Sequence, residues 1–69
     1  MMPTVAYIGE NLKRARMRRM MSQRDLATAA KLSPTTIANL ETNKSEVRPA
    51  TLRKLVPALN VQPEDLIGD

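Results

Sequence analysis

The chain of 69 residues has no cysteine, histidine, tryptophan or phenylalanine, and only one tyrosine. Without cysteine or histidine there are no disulfides, thiolate metal ligands or imidazole acid–base groups, which excludes bridged scaffolds, zinc sites and histidine-dependent catalysis. The missing cysteines fit a reducing compartment, and a cytoplasmic location is expected. With so few aromatics, any core must be filled by Leu, Ala, Val, Ile and Met, which favours short helices packed closely together. No apolar run is long enough for a transmembrane helix or the apolar stretch of a signal peptide, so the chain reads as soluble and unexported. Glycine-rich phosphate loops are also absent, as is any pair of carboxylates spaced for acid–base work, so an enzyme is not expected.

Acidic residues are scarce in the N-terminal half. Residues 1–31 carry Lys13, Arg14, Arg16, Arg18, Arg19, Arg24 and Lys31 against Glu10 and Asp25, while residues 32–69 carry four basic and five acidic groups. The net charge of +4 therefore sits on one side of the sequence. Such a bias suits a polyanion, either nucleic acid or an anionic membrane surface. No segment combines a basic face with a wide aromatic or leucine face, which disfavours the membrane.

A chain this short buries only about 60% of its unfolded surface and forms a single domain. Residues 1–6 show no period and contain Pro3, so they read as a flexible arm, with residues 7–69 as the folded domain. Ile8, Leu12 and Ala15 form one helical stripe in a helix over residues 7–19. Met20 and Met21 bridge to Ser22, which with Asp25 makes a capping-box pattern opening a second helix at Gln23. Leu26, Ala27 and Ala30 would face inward. Ser33-Pro34 is a second start signal, a capping hydroxyl before proline at the first helical position, for a helix burying Ile37 and Leu40. Residues 43–48 read as a polar loop. A fourth helix follows Pro49 with Leu52, Leu55 and Leu59 inward and Asn60 as a left-handed cap. Pro57 requires that helix either to kink or to end early. Pro63-Glu64-Asp65 opens a last short turn carrying Leu66 and Ile67, stopped by Gly68. The methionines are expected to fill core or bridge positions rather than a metal site.

The second and third helices, joined by a short turn, describe a helix-turn-helix. Thr35 and Asn39 lie nearly opposite Ile37 on the third helix and form one ridge at i and i+4, with Pro34 at the leading end. So light a face fits a B-DNA major groove, where an Asn amide can pair with adenine and a Thr methyl can touch thymine.

These segments together resemble the Cro/C1-type (XRE) helix-turn-helix family. The resemblance is carried by Gly9, Leu12, Lys13 and Arg16, then Ser22-Gln23, Leu26-Ala27 and Ala30, then Ser33, Ile37, Leu40 and Glu41, and finally Pro49, Leu52, Leu55, Leu59, Val61 and Leu66. It implies an all-α, five-helix lambda-repressor-like bundle containing the helix-turn-helix as helices two and three. It also implies a structural ion pair between Arg16 and Glu41. Two departures stand out. Lys31 occupies a turn position where the family usually has glycine, so it must accept strain or a different turn, and Asn43 replaces a glycine after the third helix.

Base contacts are expected from Pro34, Thr35 and Asn39. Backbone contacts are expected from Ser22 and Gln23 at a helix N-terminus, and from Arg24, Thr36, Thr42, Asn43, Lys44, Ser45 and Arg48. Lys13, Arg14, Arg18 and Arg19 read as solvated surface before direct contacts. The expected function is a sequence-specific double-stranded DNA-binding transcriptional regulator, repressing from a near-palindromic operator as a homodimer. Val61, Leu66, Ile67 and the loop before the fourth helix are the expected dimer surface. No cofactor, metal or small-molecule ligand is implied. The alternative is a protein-interaction module, such as the antitoxin of a toxin–antitoxin pair.

Overall fold

Helix starts in this chain are set mainly by side chains, and helix stops by the backbone. A computed structural model describes residues 7–67; the expected arm at residues 1–6 and the expected stop at Gly68 lie outside the described residues. Five helices follow in order: α1 Gly9–Arg18, α2 Gln23–Ala30, α3 Pro34–Glu41, α4 Pro49–Leu59 and α5 Pro63–Ile67. There is no β-strand among the described residues.

Ser22 opens α2 with a reciprocal cap. Its hydroxyl accepts from the Asp25 N–H at 2.9 Å, and its own N–H donates to the Asp25 carboxylate at 3.0 Å. The Ser22 N–H, followed by the Ser22 hydroxyl, holds the Asp25 carboxyl below the usual carboxylate range. Ser33 repeats half of the device, accepting from the Thr36 N–H at 3.0 Å while Pro34 takes the first helical position. Proline also opens α4 and α5. In α5 the Gln62 N–H donates to the Asp65 carboxylate at 2.9 Å. The start of α1 has no side-chain cap from the adjoining Ile8 and falls at Gly9, two residues after the expected Tyr7.

The stops share one geometry. Beyond α1, α2, α3 and α4 stand Met20, Lys31, Asn43 and Asn60, all with φ between 57° and 59°. The residue after each donates its N–H to a carbonyl five residues back: Met21 to Arg16, Leu32 to Ala27, Lys44 to Asn39 and Val61 to Val56. This six-to-one bond satisfies a helix-end carbonyl, and its usual companion is an apolar residue just beyond the left-handed one. Met21, Leu32 and Val61 fill that role, each packed against the core. Lys31 thus takes the turn geometry that suits glycine and bears the associated strain.

The core is aliphatic. Leu12, Leu26, Ile37, Leu55, Leu59 and Leu66 are fully buried, with Ile8, Ala15, Ala27, Ala30 and Leu40 around them. Burying one such large side chain contributes about 1.5–3 kcal/mol. α2 packs against α3 and α4, α1 against α3 and α5, and α4 against α5. The Asn11 amide donates to the Leu66 carbonyl at 2.9 Å, tying α1 to the end of α5.

Three expectations need correction. Val47, assigned to a polar loop, is 1% exposed and belongs to the core, since one apolar side chain in a polar stretch gives no period to read. Leu66 is 0% exposed, so it is a core residue and cannot lie on a dimer surface. Met17 is 58% exposed on α1 and fills neither the core nor a bridge; Met20 and Met21 connect α1 to α2 as expected, Met21 packed on the core and Met20 91% exposed. Of the two outcomes expected at Pro57, the early end does not occur: α4 runs on to Leu59, with Pro57 in its last turn and Arg53 and Pro57 both on the solvent side.

Replacing Lys31 with Gly removes a Cβ from a left-handed position. The change should stabilise the domain by about 1 kcal/mol, read as a higher urea midpoint at unchanged slope.

Candidate nucleic-acid interface

With Ile37 and Leu40 fixed in the core, α3 turns its other side out. Pro34 and Thr35 are exposed, whereas Thr36, Ala38 and Asn39 are half-buried. The Asn39 side-chain amide makes no hydrogen bond to a described residue, while its main-chain carbonyl accepts from the Lys44 N–H at 2.9 Å. Thr36 is more occupied, since its hydroxyl lies 2.9 Å from that of Ser33.

Eight residues are too few to hold a helix by themselves. The far end of α3 is tethered by charge. Arg16 Nε donates to Glu41 Oε2 at 2.6 Å and Arg16 Nη2 to Glu41 Oε1 at 3.2 Å, a two-pronged pair between α1 and α3. Arg16 Nη1 donates to the Met21 carbonyl at 2.7 Å, and Gln23 Nε2 adds a third bond to Glu41 at 3.1 Å. The Arg16 and Glu41 side chains are 12% and 3% exposed, so this is a nearly dry site. Its effect is to hold the first residue of α2 beside the last residue of α3.

Apart from Thr36, which lies within α3, the expected backbone-contact residues fall into two groups around that junction. Ser22, Gln23 and Arg24 stand at the N-terminus of α2, where unpaired N–H groups and the helix dipole favour an anion. Thr42, Asn43, Lys44, Ser45 and Arg48 follow α3, all exposed. Several donors here already have work inside the fold. The Thr42 hydroxyl donates to the Ala38 carbonyl at 2.9 Å, and the N–H groups of Thr42, Asn43, Lys44 and Ser45 all donate to carbonyls of α3. Lys44, Arg48 and Arg24 form no ion pair among the described residues, so their charges face outward unneutralised.

The sequence did not reveal how Asn43 and Gly9 are used together. Asn43 Oδ1 accepts from the Gly9 N–H at 3.0 Å, which caps the start of α1 from a distance of 34 positions. A Cβ at Gly9 would overlap the Glu41 carbonyl oxygen and the Asn43 side chain, so only glycine lets α1 begin so close to the end of α3. The available signal was a glycine at a helix start, where no turn requires one.

Two short helices, with a turn of three residues between them, a bare polar edge on the second and a cationic junction alongside, make a helix-turn-helix. A helix-turn-helix family model matches residues 12–66. The chain belongs to the Cro/C1-type helix-turn-helix family. This Cro/C1-type fold is similar to the restriction-modification controller protein C.AhdI from Aeromonas hydrophila, with a TM-score of 0.84 and 26% identity over 90% of this chain and 94% of that one. It is also similar to the clp gene regulator ClgR from Corynebacterium glutamicum, with a TM-score of 0.80 and 28% identity over 87% of this chain and 78% of that one. A third likeness is to SinR, a master regulator for biofilm formation solved in complex with DNA, with a TM-score of 0.81 and 25% identity over 86% and 95% of the two chains. No curated protein is significantly similar in sequence.

Arg16→Met leaves the Glu41 carboxylate nearly dry with only Gln23 as a side-chain partner. It should cost about 3 kcal/mol in denaturant unfolding, and adding Glu41→Leu to the same chain should recover most of that loss.

Proposed function

We propose that this protein is a sequence-specific double-stranded DNA-binding regulator that represses transcription by occupying a near-palindromic operator as a homodimer. One observation carries the reading: Thr35 and the Asn39 amide, which has no side-chain partner among the described residues, form an outward ridge on a helix whose opposite side and far end are both immobilised. Base readout needs such a combination, because a bidentate amide contact discriminates only if its carrier cannot shift. Pro34 adds an apolar contact at the leading end. Ser22, Gln23, Arg24, Thr36, Thr42, Asn43, Lys44, Ser45 and Arg48 are proposed to hold the phosphates on either side. Among them the Lys and Arg side chains act by charge, and Asn43 acts through the amide nitrogen left over from its bond to Gly9. Thr42 reaches a phosphate as a donor only by giving up the Ala38 carbonyl. That SinR was solved on DNA supports the reading.

The homodimer follows from specificity, since one reading helix spans few base pairs. Two-fold symmetry sets half-sites about 34–36 Å apart on one face of the duplex. With Leu66 in the core, the exposed Ile67 and half-buried Val61 remain as the C-terminal part of the proposed contact. We place the protein in the cytoplasm. Among the described residues no helix is long and apolar enough to cross a membrane.

Selection of bound sequences from random duplexes should return a two-fold symmetric site. Asn39→Ala should relax preference at one base pair in each half, losing about 1–3 kcal/mol of discrimination, and unchanged selectivity would remove Asn39 from the reading. Affinity for the selected site should fall by roughly 10³-fold or more between 50 and 200 mM salt, measured by fluorescence anisotropy. A flat salt dependence is incompatible with the proposed phosphate contacts.

A further inference from the structure

The side of α1 turned away from the core has a character that neither the fold nor the proposed DNA contacts use. Ile8, Leu12 and Ala15 point inward, so Glu10, Lys13, Arg14 and Met17 occupy the opposite side, where they line one shallow groove. Lys13 and Arg14 share this side with Glu10, which lies 3.9 Å from Arg14, and Arg18 stands at its edge, where Asp65 of α5 lines a cleft with Arg14 and Arg18. Two large apolar side chains stand among these cations in water: Met17 is 58% exposed and Met20 is 91% exposed. The Met20 N–H donates to the Met17 carbonyl at 2.9 Å, which keeps the two residues on one turn.

Met20 works against stability in two ways. It leaves a thioether in water, and its φ of 57° is one that asparagine or glycine accepts at lower cost, as Asn43 and Asn60 do at the equivalent ends of α3 and α4. A solvated polar helix face would call for neither. Methionine is flexible and polarizable, and is frequent on surfaces that must fit a partner's irregular apolar side chains.

We propose that this face of α1, from Lys13 to Met20, docks an acidic helix of a partner protein that carries apolar side chains between its carboxylates. The carboxylates meet Lys13, Arg14 and Arg18, and the apolar side chains cover Met17 and Met20. A nucleic-acid backbone matches the charge but leaves both thioethers wet. A lipid surface needs a wider apolar face than two methionines supply. At 10 residues, α1 is about 15 Å long and matches two to three turns of a partner helix. The contact is accordingly weak and sensitive to salt.

The test uses the full chain with ¹³C-labelled methionine methyls, titrated separately with a synthetic helical peptide of interleaved Glu and Leu, a 20-base-pair duplex, and vesicles of anionic phospholipid. The peptide is expected to shift the Met17 and Met20 methyls saturably. The double variant Met17→Gln with Met20→Asn should bind it roughly tenfold more weakly or worse, with a thermal midpoint equal to or above that of the parent. The single variant Met17→Gln should lose part of the affinity and so separates docking from any effect on the turn. The proposal is overturned if the peptide leaves both methyls unmoved, if the duplex or the vesicles move them and the peptide does not, or if the double variant binds the peptide as the parent does.

Discussion

The placement of the far end of α3 depends on the half-buried guanidinium of Arg16. Its three nitrogens donate to both oxygens of Glu41 and to the Met21 carbonyl, while Gln23 completes the carboxylate's coordination. One side chain on α1 thus fixes the last residue of α3, the turn before α2 and the first side chain of α2. An apolar pair of similar volume would hold the parts with equal or greater strength, because desolvating two charges offsets most of their attraction. It would not hold them at the same angles, since dispersion is undirected and a planar fork admits one approach. The ion pair is better understood as an orienting device than as a source of stability. Lysine could not replace arginine here, having no fixed geometry and no way to address the carboxylate and the Met21 carbonyl together.

The helix ends show where the chain accepts strain. Four left-handed positions close four helices, and none is glycine. Asn43 and Asn60 occupy theirs at low cost, while Met20 and Lys31 do not. The glycine at position 9 serves a different need, the close approach of α1 to the Glu41 carbonyl. Asn43 joins the two themes: its backbone ends α3 and its side chain begins α1. Ordinary capping offsets part of the strain, through the Ser22–Asp25 box, the Ser33 hydroxyl and three prolines at first helical positions.

What could be read from the sequence was what depends on neighbours along the chain. Ser22, Ser33, Pro34, Pro49 and Asn60 act within a few residues of themselves, and their roles were evident from type and order. Leu12, Leu26, Ile37, Leu55 and Leu59 repeat with the helical period, so the core stripes were also evident. What could not be read depends on residues far apart in sequence. The bonds from Gly9 to Asn43 and from Asn11 to Leu66 leave no trace in local pattern, and the Arg16–Glu41 pair came from resemblance alone. Val47 escaped because a lone apolar residue has no period. The exposure of Met17 and Met20 escaped because composition cannot tell which side chains the fold leaves outside. At the candidate interface, the ridge of Thr35 and Asn39 was legible from helical geometry, but the internal use of Gln23, Thr42 and Asn43 was not.

That internal use bears on how such an interface would divide its labour. Gln23, Thr42 and Asn43 each commit one polar atom to the fold, so their geometry is set before any duplex arrives. An amide keeps a second donor after one bond is made, so Gln23 and Asn43 can hold structure and still address a phosphate oxygen. A hydroxyl has a single proton, and Thr42 has given its own to Ala38. On the proposed reading, the pre-bonded amides register the protein on the backbone because they cannot swing, and Arg24, Lys44 and Arg48 supply attraction because they can. Removing a lysine should then weaken binding evenly across sequences, whereas loosening Glu41 should blur which base pair Asn39 meets, although Glu41 itself never touches a base.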